Sequence, residues 1–277
     1  MRQVATINSH GTERIFGMND VFQFTFLGTG TSLGVPMIGC DCAVCTSTDP
    51  RNRRRRSSVY VEAGETRFVI DTSPDFREQA LACGLRQVDA VLYTHAHADH
   101  ILGLDDIRRF NTLQSAVIPV YAMSETLAEL RRVFSYIGRP VQPGLYRPQV
   151  DFRLVEGPFR VGDVEIAALP VEHGTEHTVG FLLSWRGWRV GYFPDCHRMP
   201  EATLAAVRGV QVMVLDTLRY RSHPSHLCVA ESLALLQAIG AGRSYLIHLC
   251  HDLEHARLES ELPPGIRVAC DGMVVKV

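Results

Sequence analysis

Residues 95–100 hold a dense set of metal-binding side chains and read His-Ala-His-Ala-Asp-His. Three imidazoles and one carboxylate suit Zn, Fe or Mn, which accept nitrogen and oxygen ligands from these side chains. His95 and His97 are two residues apart, so in an extended segment their side chains point the same way. Asp99 and His100 follow after the chain must bend, and they point elsewhere. The spacing predicts two adjacent metal ions, one held by the His-x-His pair and the other by the Asp-His pair.

A predicted buried strand positions this motif. Residues 88–93 read Val-Asp-Ala-Val-Leu-Tyr, a largely apolar run that ends just before the first histidine. The motif therefore falls on the loop at the carboxyl end of a strand, where α/β proteins tend to bind ligands. A polar loop with incidental histidines would rarely show this spacing after a hydrophobic strand.

The motif and its flanking residues resemble the signature of the metallo-β-lactamase-fold hydrolases. In that superfamily, a later His, a later Asp and a final His complete the motif, each after a strand. This chain offers His173, Asp195 and His248, and all three follow apolar, strand-like runs. The resemblance spans roughly residues 21–277 and implies an α/β protein built as a four-layer αββα sandwich.

The resemblance also implies two catalytic divalent ions (Zn, Mn or Fe) and a metal-bridging hydroxide that attacks the substrate. The expected ligands are His95, His97 and His173 for one ion, Asp99, His100 and His248 for the other, and Asp195 between them. His226 stands where these enzymes often carry a proton donor. Asp99 and His226 are therefore the predicted catalytic residues.

A second metal site is predicted from three cysteines in a Cys-x-Cys-x-x-Cys pattern, Cys40, Cys42 and Cys45. Their spacing brings three thiolates within reach of one ion, and a structural zinc takes four ligands in a closed tetrahedron. The fourth ligand must come from elsewhere, and the best candidate is His251, three residues beyond His248. The sequence thus predicts one structural zinc, with three free thiols in a turn as the alternative.

Composition limits the classes of protein. Hydrophobic residues make up 46% and charged residues 21% of the 277, which is ordinary for a globular protein. The net charge of -2 provides no global basic field toward nucleic acid or a membrane. Eight cysteines are too few for a disulfide scaffold at this length, and their clustering suggests metal binding in a reducing cytoplasm. No apolar run is long enough to cross a membrane.

The pattern of elements predicts a flexible N-terminal arm over residues 1–20 and one hydrolase domain over 21–277. Strands and helices interleave as two β-rich halves with outer helices. A helix is predicted from Ile101 and another from 125 to 137, followed by a lid-forming loop over 139–150. Further strands are expected at 151–155, 159–169, 179–184, 188–193, 211–215 and 244–247, helices near 200–207, 229–239 and 252–261, and a closing strand at 266–276.

Several polar residues allow two interpretations. The basic run over 51–56 is interpreted as a solvated loop, with attraction of an anionic substrate as the alternative. Asp71, at a strand end, either hydrogen-bonds a ligand histidine or is a simple turn residue. The histidines expected to be ordinary surface or turn residues are His177, His197, His223 and His255.

The expected reaction is hydrolysis of a phosphodiester. Two ions about 4 Å apart suit in-line attack at phosphorus. The N-terminal segment, Phe-Leu-Gly-Thr-Gly-Thr-Ser-Leu-Gly-Val-Pro followed by the cysteine cluster, resembles that of phosphoribosyl 1,2-cyclic phosphate phosphodiesterases. In that family, positions matching His226, His248 and His251 serve as general acid, catalytic ligand and structural zinc ligand. The expected substrate is a small anionic cyclic phosphate ester, and the family implies a homodimer.

The alternatives are a ribonuclease Z-like RNA phosphodiesterase and a thioester or lactone hydrolase of the same fold. Ribonuclease Z usually carries a long arm that grips tRNA, and no such insertion is evident. A zinc-stabilised nucleic-acid-binding module using the arginine run is a non-enzymatic alternative. The nearly neutral net charge makes nucleic acid an unlikely partner.

Overall fold

The structure is a computed structural model that describes residues 5–7, 13–15, 21–138 and 146–277. Its main body consists of two seven-stranded mixed sheets with helices on their outer faces. The strands are β1 Ala5–Ile7, β2 Glu13–Ile15, β3 Phe22–Gly28, β4 Ser58–Ala63, β5 Thr66–Ile70, β6 Ala90–Leu92, β7 Ile118–Ala122, β8 Val150–Leu154, β9 Phe159–Val161, β10 Val164–His173, β11 Glu176–Trp185, β12 Trp188–Phe193, β13 Val212–Asp216, β14 Arg243–Ile247, β15 Ile266–Val268 and β16 Val274–Lys276. The helices are α1 Phe76–Ala82, α2 Ala98–Ile101, α3 Arg108–Gln114, α4 Ser124–Val133, α5 Glu201–Val207, α6 Val229–Ile239 and α7 His255–Glu261, with 3-10 turns at Pro50–Asn52 and Leu104–Ile107.

The first sheet has the strand order β16-β3-β4-β5-β6-β7-β8. Strands β16, β3, β4 and β5 pair antiparallel, and β5 to β8 pair parallel. The β4–β5 hairpin turns at Gly64, whose φ of 59° is one that glycine adopts without a steric penalty. Because the parallel strands share one direction, their carboxyl ends lie at the same edge of the sheet.

The second sheet has the order β15-β14-β13-β12-β11-β10-β9 and mirrors the first. Strands β9 to β12 form an antiparallel meander, and β12 to β15 pair parallel. The carboxyl ends of β12, β13 and β14 therefore also share one edge. Asp216 is the last residue of β13, and the loops that leave β12 and β14 at this edge carry Asp195 and His248.

Three apolar clusters hold the layers together. The cluster between the sheets includes Phe24, Phe26 and Tyr245, with the tyrosine ring 6.4 Å and 5.8 Å from the two phenylalanine rings. A second cluster packs α1 to α4 on the first sheet, and a third packs α5 to α7 on the second. Each helix thus buries an apolar face against a sheet, and the predicted four-layer αββα sandwich is confirmed.

Four predicted elements differ from the structure. The single closing strand predicted at 266–276 is wrong, because a turn at Gly272 separates β15 and β16, which belong to different sheets. The predicted strand at 159–169 is likewise two strands, joined by a tight turn at Gly162. The helix predicted from Ile101 is a short α2, a 3-10 turn and α3, and the helix predicted to 137 ends at Val133.

The N-terminal arm is only partly described. Strands β1 and β2 pair antiparallel, and the predicted flexibility concerns residues 1–20, most of which lie outside the described residues. The predicted lid overlaps residues 139–145, which also lie outside them. No helix in the described part of the chain is long and apolar enough to cross a membrane.

Candidate active site

Ends of strands in both sheets bring the predicted ligands together. His95 and His97 lie on the loop after β6, and Asp99 and His100 lie within the short helix α2. His173 ends β10, Asp195 lies two residues after β12, and His248 directly follows β14. The seven side chains come from two sheets but form overlapping groups whose ligand atoms lie within 4.8 Å of one another.

Three imidazoles form the first group. The Nε2 atom of His95 lies 2.9 Å from Nδ1 of His97, and Nε2 of His173 lies 3.4 Å from the same atom. His173 donates its Nδ1–H to the backbone carbonyl of Ser225 at 2.7 Å, because a carbonyl can only accept. In its neutral form, His173 therefore presents an unprotonated Nε2 to the group.

Asp99, His100 and His248 form the second group. The Nε2 atom of His100 lies 3.4 Å from Oδ2 of Asp99. On its other side, His100 donates Nδ1–H to Oδ2 of Asp71 at 2.8 Å, which directs the Nε2 lone pair into the group. Asp71 also accepts hydrogen bonds from the backbone N–H and the hydroxyl of Thr94, at 2.9 and 2.8 Å. The first interpretation of Asp71, as a hydrogen-bond partner of a predicted ligand, matches this geometry.

Asp195 lies between the two groups. Its Oδ2 atom is 3.1 Å from Nε2 of His100, and its Oδ1 atom is 3.3 Å from Nε2 of His248 and 3.7 Å from Nε2 of His173. Burial alone would raise the pKa of Asp195, but His248 and His100 hold it well below its ordinary value. Asp195 is therefore a buried carboxylate in contact with both groups.

Several buried atoms of this cluster lack hydrogen-bond partners among the described residues. They are Nε2 of His100, Oδ2 of Asp195 and both ring nitrogens of His248. The first two lie 3.1 Å apart, but with the proton of neutral His100 on Nδ1 both atoms are acceptors and cannot satisfy each other. An unsatisfied buried polar atom costs about 1–3 kcal/mol, so such a concentration of them calls for a ligand. The set contains imidazoles and carboxylates, which are the side chains that Zn, Mn and Fe bind. The residues present therefore fit divalent cations.

The protonation states of the clustered histidines are those that metal ligands require. Burial lowers the pKa of His95, of His173 and of His248, the last to about 3, so these rings are neutral at pH 7 and offer lone pairs. His100 differs: burial lowers its pKa, but Asp195, Asp99 and Asp71 together raise it well above its ordinary value. These three carboxylates stabilise a positive charge at His100, which a bound cation would supply in place of a proton.

Two of the site's residues have backbone conformations that residues other than glycine seldom adopt. Asp71 has a φ of 62° and His248 a φ of 63°. Such left-handed positions cost about 1–3 kcal/mol and persist where the surrounding structure requires them. Here they turn the chain sharply at the ends of β5 and β14. The Asp71 side chain thereby lies behind His100, and the His248 side chain lies in the second group.

His226 lies against the cluster and has a partner that the sequence analysis missed. Its ring stacks on His248, with centroids 4.5 Å apart and an angle of 15°. Its Nδ1–H donates to Oδ2 of Asp216 at 2.8 Å. Burial lowers the pKa of His226, but the nearby carboxylates of Asp216, Asp195 and Asp99 together outweigh burial and raise it to about 9. The sequence does contain a signal for Asp216, because it is a single acidic residue at the end of the hydrophobic strand β13.

The cysteine cluster and His251 also come together. The Nδ1 atom of His251 lies 3.2, 3.5 and 3.7 Å from the sulfurs of Cys40, Cys42 and Cys45. Ligands of a tetrahedral zinc, with Zn–S near 2.3 Å and Zn–N near 2.0 Å, are about 3.5 Å apart. A backbone N–H of Cys45 lowers the pKa of Cys42 to about 6, so this thiol ionises readily. Burial raises the pKa of Cys45 to about 11.

The arginine run is only partly the solvated loop that the sequence suggested, because Arg51 and Arg53 are exposed but the residues between and after them are not. Arg54 is 1% exposed and donates hydrogen bonds to the carbonyls of Cys250 and Leu253, at 2.8 and 2.7 Å. Asn52 is equally buried and donates to Glu254 at 2.9 Å. These contacts attach the run to the turn after β14, the segment that carries His248 and His251. At least this part of the run is structural.

The remaining histidines lie in different environments. His177 is exposed on β11, and Nδ1 of His197 lies 3.4 Å from the carbonyl of His226. His255 is 3% exposed at the start of α7, so its interpretation as a surface histidine is wrong. His223 is half-buried near His226, with ring centroids 5.2 Å apart.

The chain belongs to the beta-lactamase superfamily. The profile of the "Beta-lactamase superfamily domain" matches residues 66–249. With its two sheets and outer helices, the structure has the metallo-β-lactamase fold. Together, the fold and the family support a metal-dependent hydrolase.

Two similar proteins match most of this chain. A crystal structure described as a new diphosphatase from the PhnP family is 39% identical, with a TM-score of 0.84 over 92% of this chain and 98% of that one. An octanoyltransferase of Porphyromonas gingivalis is 36% identical over 89% of this chain. This chain spans only 50% of that relative's length.

Other relatives are more distant. Coenzyme PQQ synthesis protein B of Methylorubrum populi is 31% identical over 69% of this chain and 71% of that protein. The structure of human tRNase Z, short form, is 16% identical with a TM-score of 0.67, over 91% of this chain and 98% of that one. At that identity, the likeness to tRNase Z shows the shared fold alone.

Proposed function

We propose that the protein is a dinuclear metal-dependent phosphodiesterase that hydrolyses small cyclic phosphate esters such as phosphoribosyl 1,2-cyclic phosphate. One observation carries the proposal: imidazoles and carboxylates converge from two sheets on Asp195, and several of their buried atoms lack hydrogen-bond partners in the described part of the chain. The proposed ligands are His95, His97 and His173 for one ion, Asp99, His100 and His248 for the other, and Asp195 as the bridge.

The chain's own residues supply positioning and a proton. When bound, two divalent ions activate water at neutral pH and neutralise charge on the phosphoryl oxygens. Asp71 and the Ser225 carbonyl fix the rings of His100 and His173 through their Nδ1 atoms. His226, with its Nδ1–H on Asp216, keeps Nε2 for the substrate and donates a proton to the departing alkoxide oxygen.

The relatives favour a small phosphate substrate over RNA, thioesters and lactones. The 39% identical relative is a diphosphatase and its coverage is nearly complete on both sides, which favours chemistry at phosphorus. For the same reason, phosphoanhydride hydrolysis is a second candidate. The likeness to tRNase Z is limited to the fold, so RNA cleavage has no comparable support. Acyl chemistry has weaker support, because the relative named an octanoyltransferase is matched over only 50% of its length.

Metal removal tests the proposal. After treatment with a chelator and gel filtration, the protein should no longer hydrolyse bis(p-nitrophenyl) phosphate, because its own residues cannot activate water without the ions. Restoring Mn²⁺ or Zn²⁺ should recover turnover with a stoichiometry of two ions per chain at the catalytic centre, measured by titration and elemental analysis. Turnover that survives full metal removal would contradict the proposal, as would full activity with one catalytic ion.

We further propose that Cys40, Cys42, Cys45 and His251 hold one structural zinc. Four protein ligands would leave no open position for water, so the site would stabilise the fold without chemistry of its own. Binding energy at such a site is folding energy. Since His251 lies three residues after His248, the zinc would fix the Cys40–Cys45 loop beside the active site.

Cys42→Ser should remove one zinc per chain and lower the melting temperature. Activity should fall only as far as the neighbouring turn loosens. Cobalt-substituted wild-type protein should show intense sulfur-to-metal charge-transfer bands, which a site of His and Asp ligands cannot produce. Cys83→Ser is the matched control, since that thiol lies at the end of α1. Bands that are absent from wild type, or unchanged in both Cys42→Ser and His251→Ala, would contradict the site.

Asp71→Asn should weaken catalytic metal binding about 10–100-fold, the usual effect of losing a partner behind a ligand histidine. The amide cannot accept from both the Thr94 N–H and the His100 Nδ1–H, so the required His100 tautomer loses its support. Competition with a metal-binding dye would measure the affinity. Asp151→Asn, at an exposed carboxylate paired with Arg153, is the matched control. Equal affinities of the two variants would contradict this role.

A further inference from the structure

In the described part of the chain, no hydrogen bond fixes the His248 ring, whereas the rings of His100 and His173 each donate Nδ1–H to an oxygen of the protein. The Nδ1 atom of His248 lies 3.8 Å from Oδ1 of Asp216, which is beyond hydrogen-bond length. The position of the ring therefore depends on its stacking against His226 and on the backbone of His248, whose φ is 63°.

Directly after His248, the chain forms a turn over 249–253 that the side chain of Arg54 binds. The guanidinium donates from Nη1 to the carbonyl of Cys250 at 2.8 Å and from Nη2 to the carbonyl of Leu253 at 2.7 Å. Because the donors of a guanidinium have a rigid planar geometry, this contact fixes the two carbonyls relative to each other. The shape of the turn therefore depends on Arg54.

The backbone of Arg54 packs against the glycine-rich turn over 28–34, which contacts the same segment. A Cβ atom on Gly30 would lie 2.8 Å from the carbonyl oxygen of Arg54, so this close approach requires glycine. On the glycine-rich turn, Thr31 N–H donates to the carbonyl of Leu249 at 3.3 Å. Arg54 thus joins two segments that also bind each other next to a predicted metal ligand.

The burial of Arg54 is costly for the fold. Its side chain is 1% exposed, and its hydrogen-bond partners in the described residues are two backbone carbonyls and the side-chain carbonyl of Asn52, none of which is charged. Its Nε atom lacks a partner there. Burial lowers the pKa of Arg54 to about 10, so the group stays charged at pH 7. A buried charge without a hydrogen-bonded counter-ion costs more than an apolar side chain of similar size. The geometry of the turn therefore explains this arginine better than stability does.

We propose that Arg54 is a positioning residue for catalysis, which holds His248 in place for metal binding through the turn over 249–253. The inference rests on the proposed function, because it takes the second ligand group, to which His248 belongs, as the ligand set of one catalytic ion. Arg54 contacts neither that ion nor the substrate in this account. Its role for His248 corresponds to the role of Asp71 for His100. The first ligand group lies on other segments, so the affinity for its ion should not depend on Arg54.

Metal binding to Arg54→Met tests the proposal without turnover, because the change removes the donors and keeps an unbranched side chain. Titration of chelator-treated protein with Mn²⁺, followed by electron paramagnetic resonance, gives a dissociation constant for each catalytic ion. One ion should bind about 10–100-fold more weakly, the usual effect of losing a residue that supports a metal ligand, and the other should keep its wild-type affinity. The weakened ion should be the one that His248→Ala also weakens. Arg54→Lys, which keeps the charge and a donor for one carbonyl, should recover part of the loss.

The matched control is Arg189→Met. Arg189 also donates to a backbone carbonyl, that of Ala206, but it lies near the start of β12, at the opposite end of that strand from Asp195. This variant should keep the wild-type affinity for both ions. Unchanged affinity for both ions in Arg54→Met, or an equal loss for both, would overturn the positioning role.

Asn52→Ser decides the question if Arg54→Met does not fold. It removes the Oδ1 atom that accepts from Nη2 of Arg54 at 3.2 Å and from the backbone N–H of His255 at 2.8 Å. The same ion should bind more weakly, by a smaller factor, and unchanged affinity for both ions would overturn the proposal. A wild type that binds one catalytic ion would refute the dinuclear function. Arg54 would then keep its role if both Arg54→Met and His248→Ala weaken that ion, and lose it if His248→Ala alone does.

Discussion

Asp195→Asn should cost the protein at least one catalytic ion and lower its turnover of a phosphodiester about 10³-fold. Metal ions contribute several kcal/mol to stabilising a transition state, and each 1.36 kcal/mol is a factor of ten in rate. The loss is expected because Asp195 contacts both ligand groups, with Oδ2 3.1 Å from Nε2 of His100 in one group and Oδ1 3.7 Å from Nε2 of His173 in the other. An amide keeps the shape of the side chain but removes the charge that a bridging ligand needs.

Elemental analysis and steady-state kinetics on the same preparation would measure both effects. Asp163→Asn, at an exposed turn between β9 and β10, controls for the chemical change. A variant at Asp195 that kept two catalytic ions and wild-type turnover would refute the bridging assignment. Thermal unfolding should accompany the assay, because buried neutral and charged side chains affect stability differently.

His226→Ala should lower kcat about 10²–10⁴-fold for a cyclic alkyl phosphate while the metal content stays at the wild-type value. The departing alkoxide of such a substrate needs a proton, which the ring supplies in this account. The loss should be much smaller for bis(p-nitrophenyl) phosphate, because nitrophenolate leaves readily without protonation. Comparison of the two substrates on one preparation therefore separates proton donation from a structural effect.

Asp216→Asn provides a second test of the same pair. Asp216 is completely buried and its carboxylate receives the Nδ1–H of His226 at 2.8 Å, so it orients the ring without touching the substrate. Its replacement should show the same dependence on the leaving group, at smaller amplitude. Equal losses for both substrates in both variants would make His226 a binding or packing residue.

Much of the site is predictable because its signal is local. Residues 95–100 follow a short hydrophobic strand, and the Cys-x-Cys-x-x-Cys spacing is contained in six residues. The later residues His173, Asp195 and His248 were proposed by resemblance, and each lies at a strand end as expected. His251 is predicted as the fourth zinc ligand because it lies three residues after His248. Its Nδ1 atom lies 3.2 Å from the sulfur of Cys40.

The missed features depend on contacts between segments distant in sequence. Nothing local shows that Arg54 is buried, because its acceptors at Cys250 and Leu253 lie about two hundred residues away. The closing strand was merged into one element because residues 266–276 are largely apolar, and only sheet pairing reveals that β15 and β16 separate. In the sequence, Asp216 is only an acid at the end of a strand. Its contact with His226 depends on the fold.

The two sheets explain how such distant residues meet. Each sheet contributes parallel strands whose carboxyl ends lie at one edge, and the sandwich places the two edges side by side. The second sheet supplies Asp195, Asp216 and His248, and the first supplies Asp71 and the motif after β6. Metal binding would therefore connect the two halves of the sandwich as well as enable catalysis.

The most direct test of the central claim is a comparison of kcat/KM values for one metal-defined preparation across five substrate classes. These are five-membered cyclic phosphates, linear phosphodiesters, phosphoanhydrides, thioesters and lactones. The account predicts the highest kcat/KM for a cyclic phosphate, with loss of turnover on chelation and its return with two catalytic ions per chain. A higher value for a thioester or a lactone, or undiminished turnover of the cyclic phosphate without metal, would contradict it.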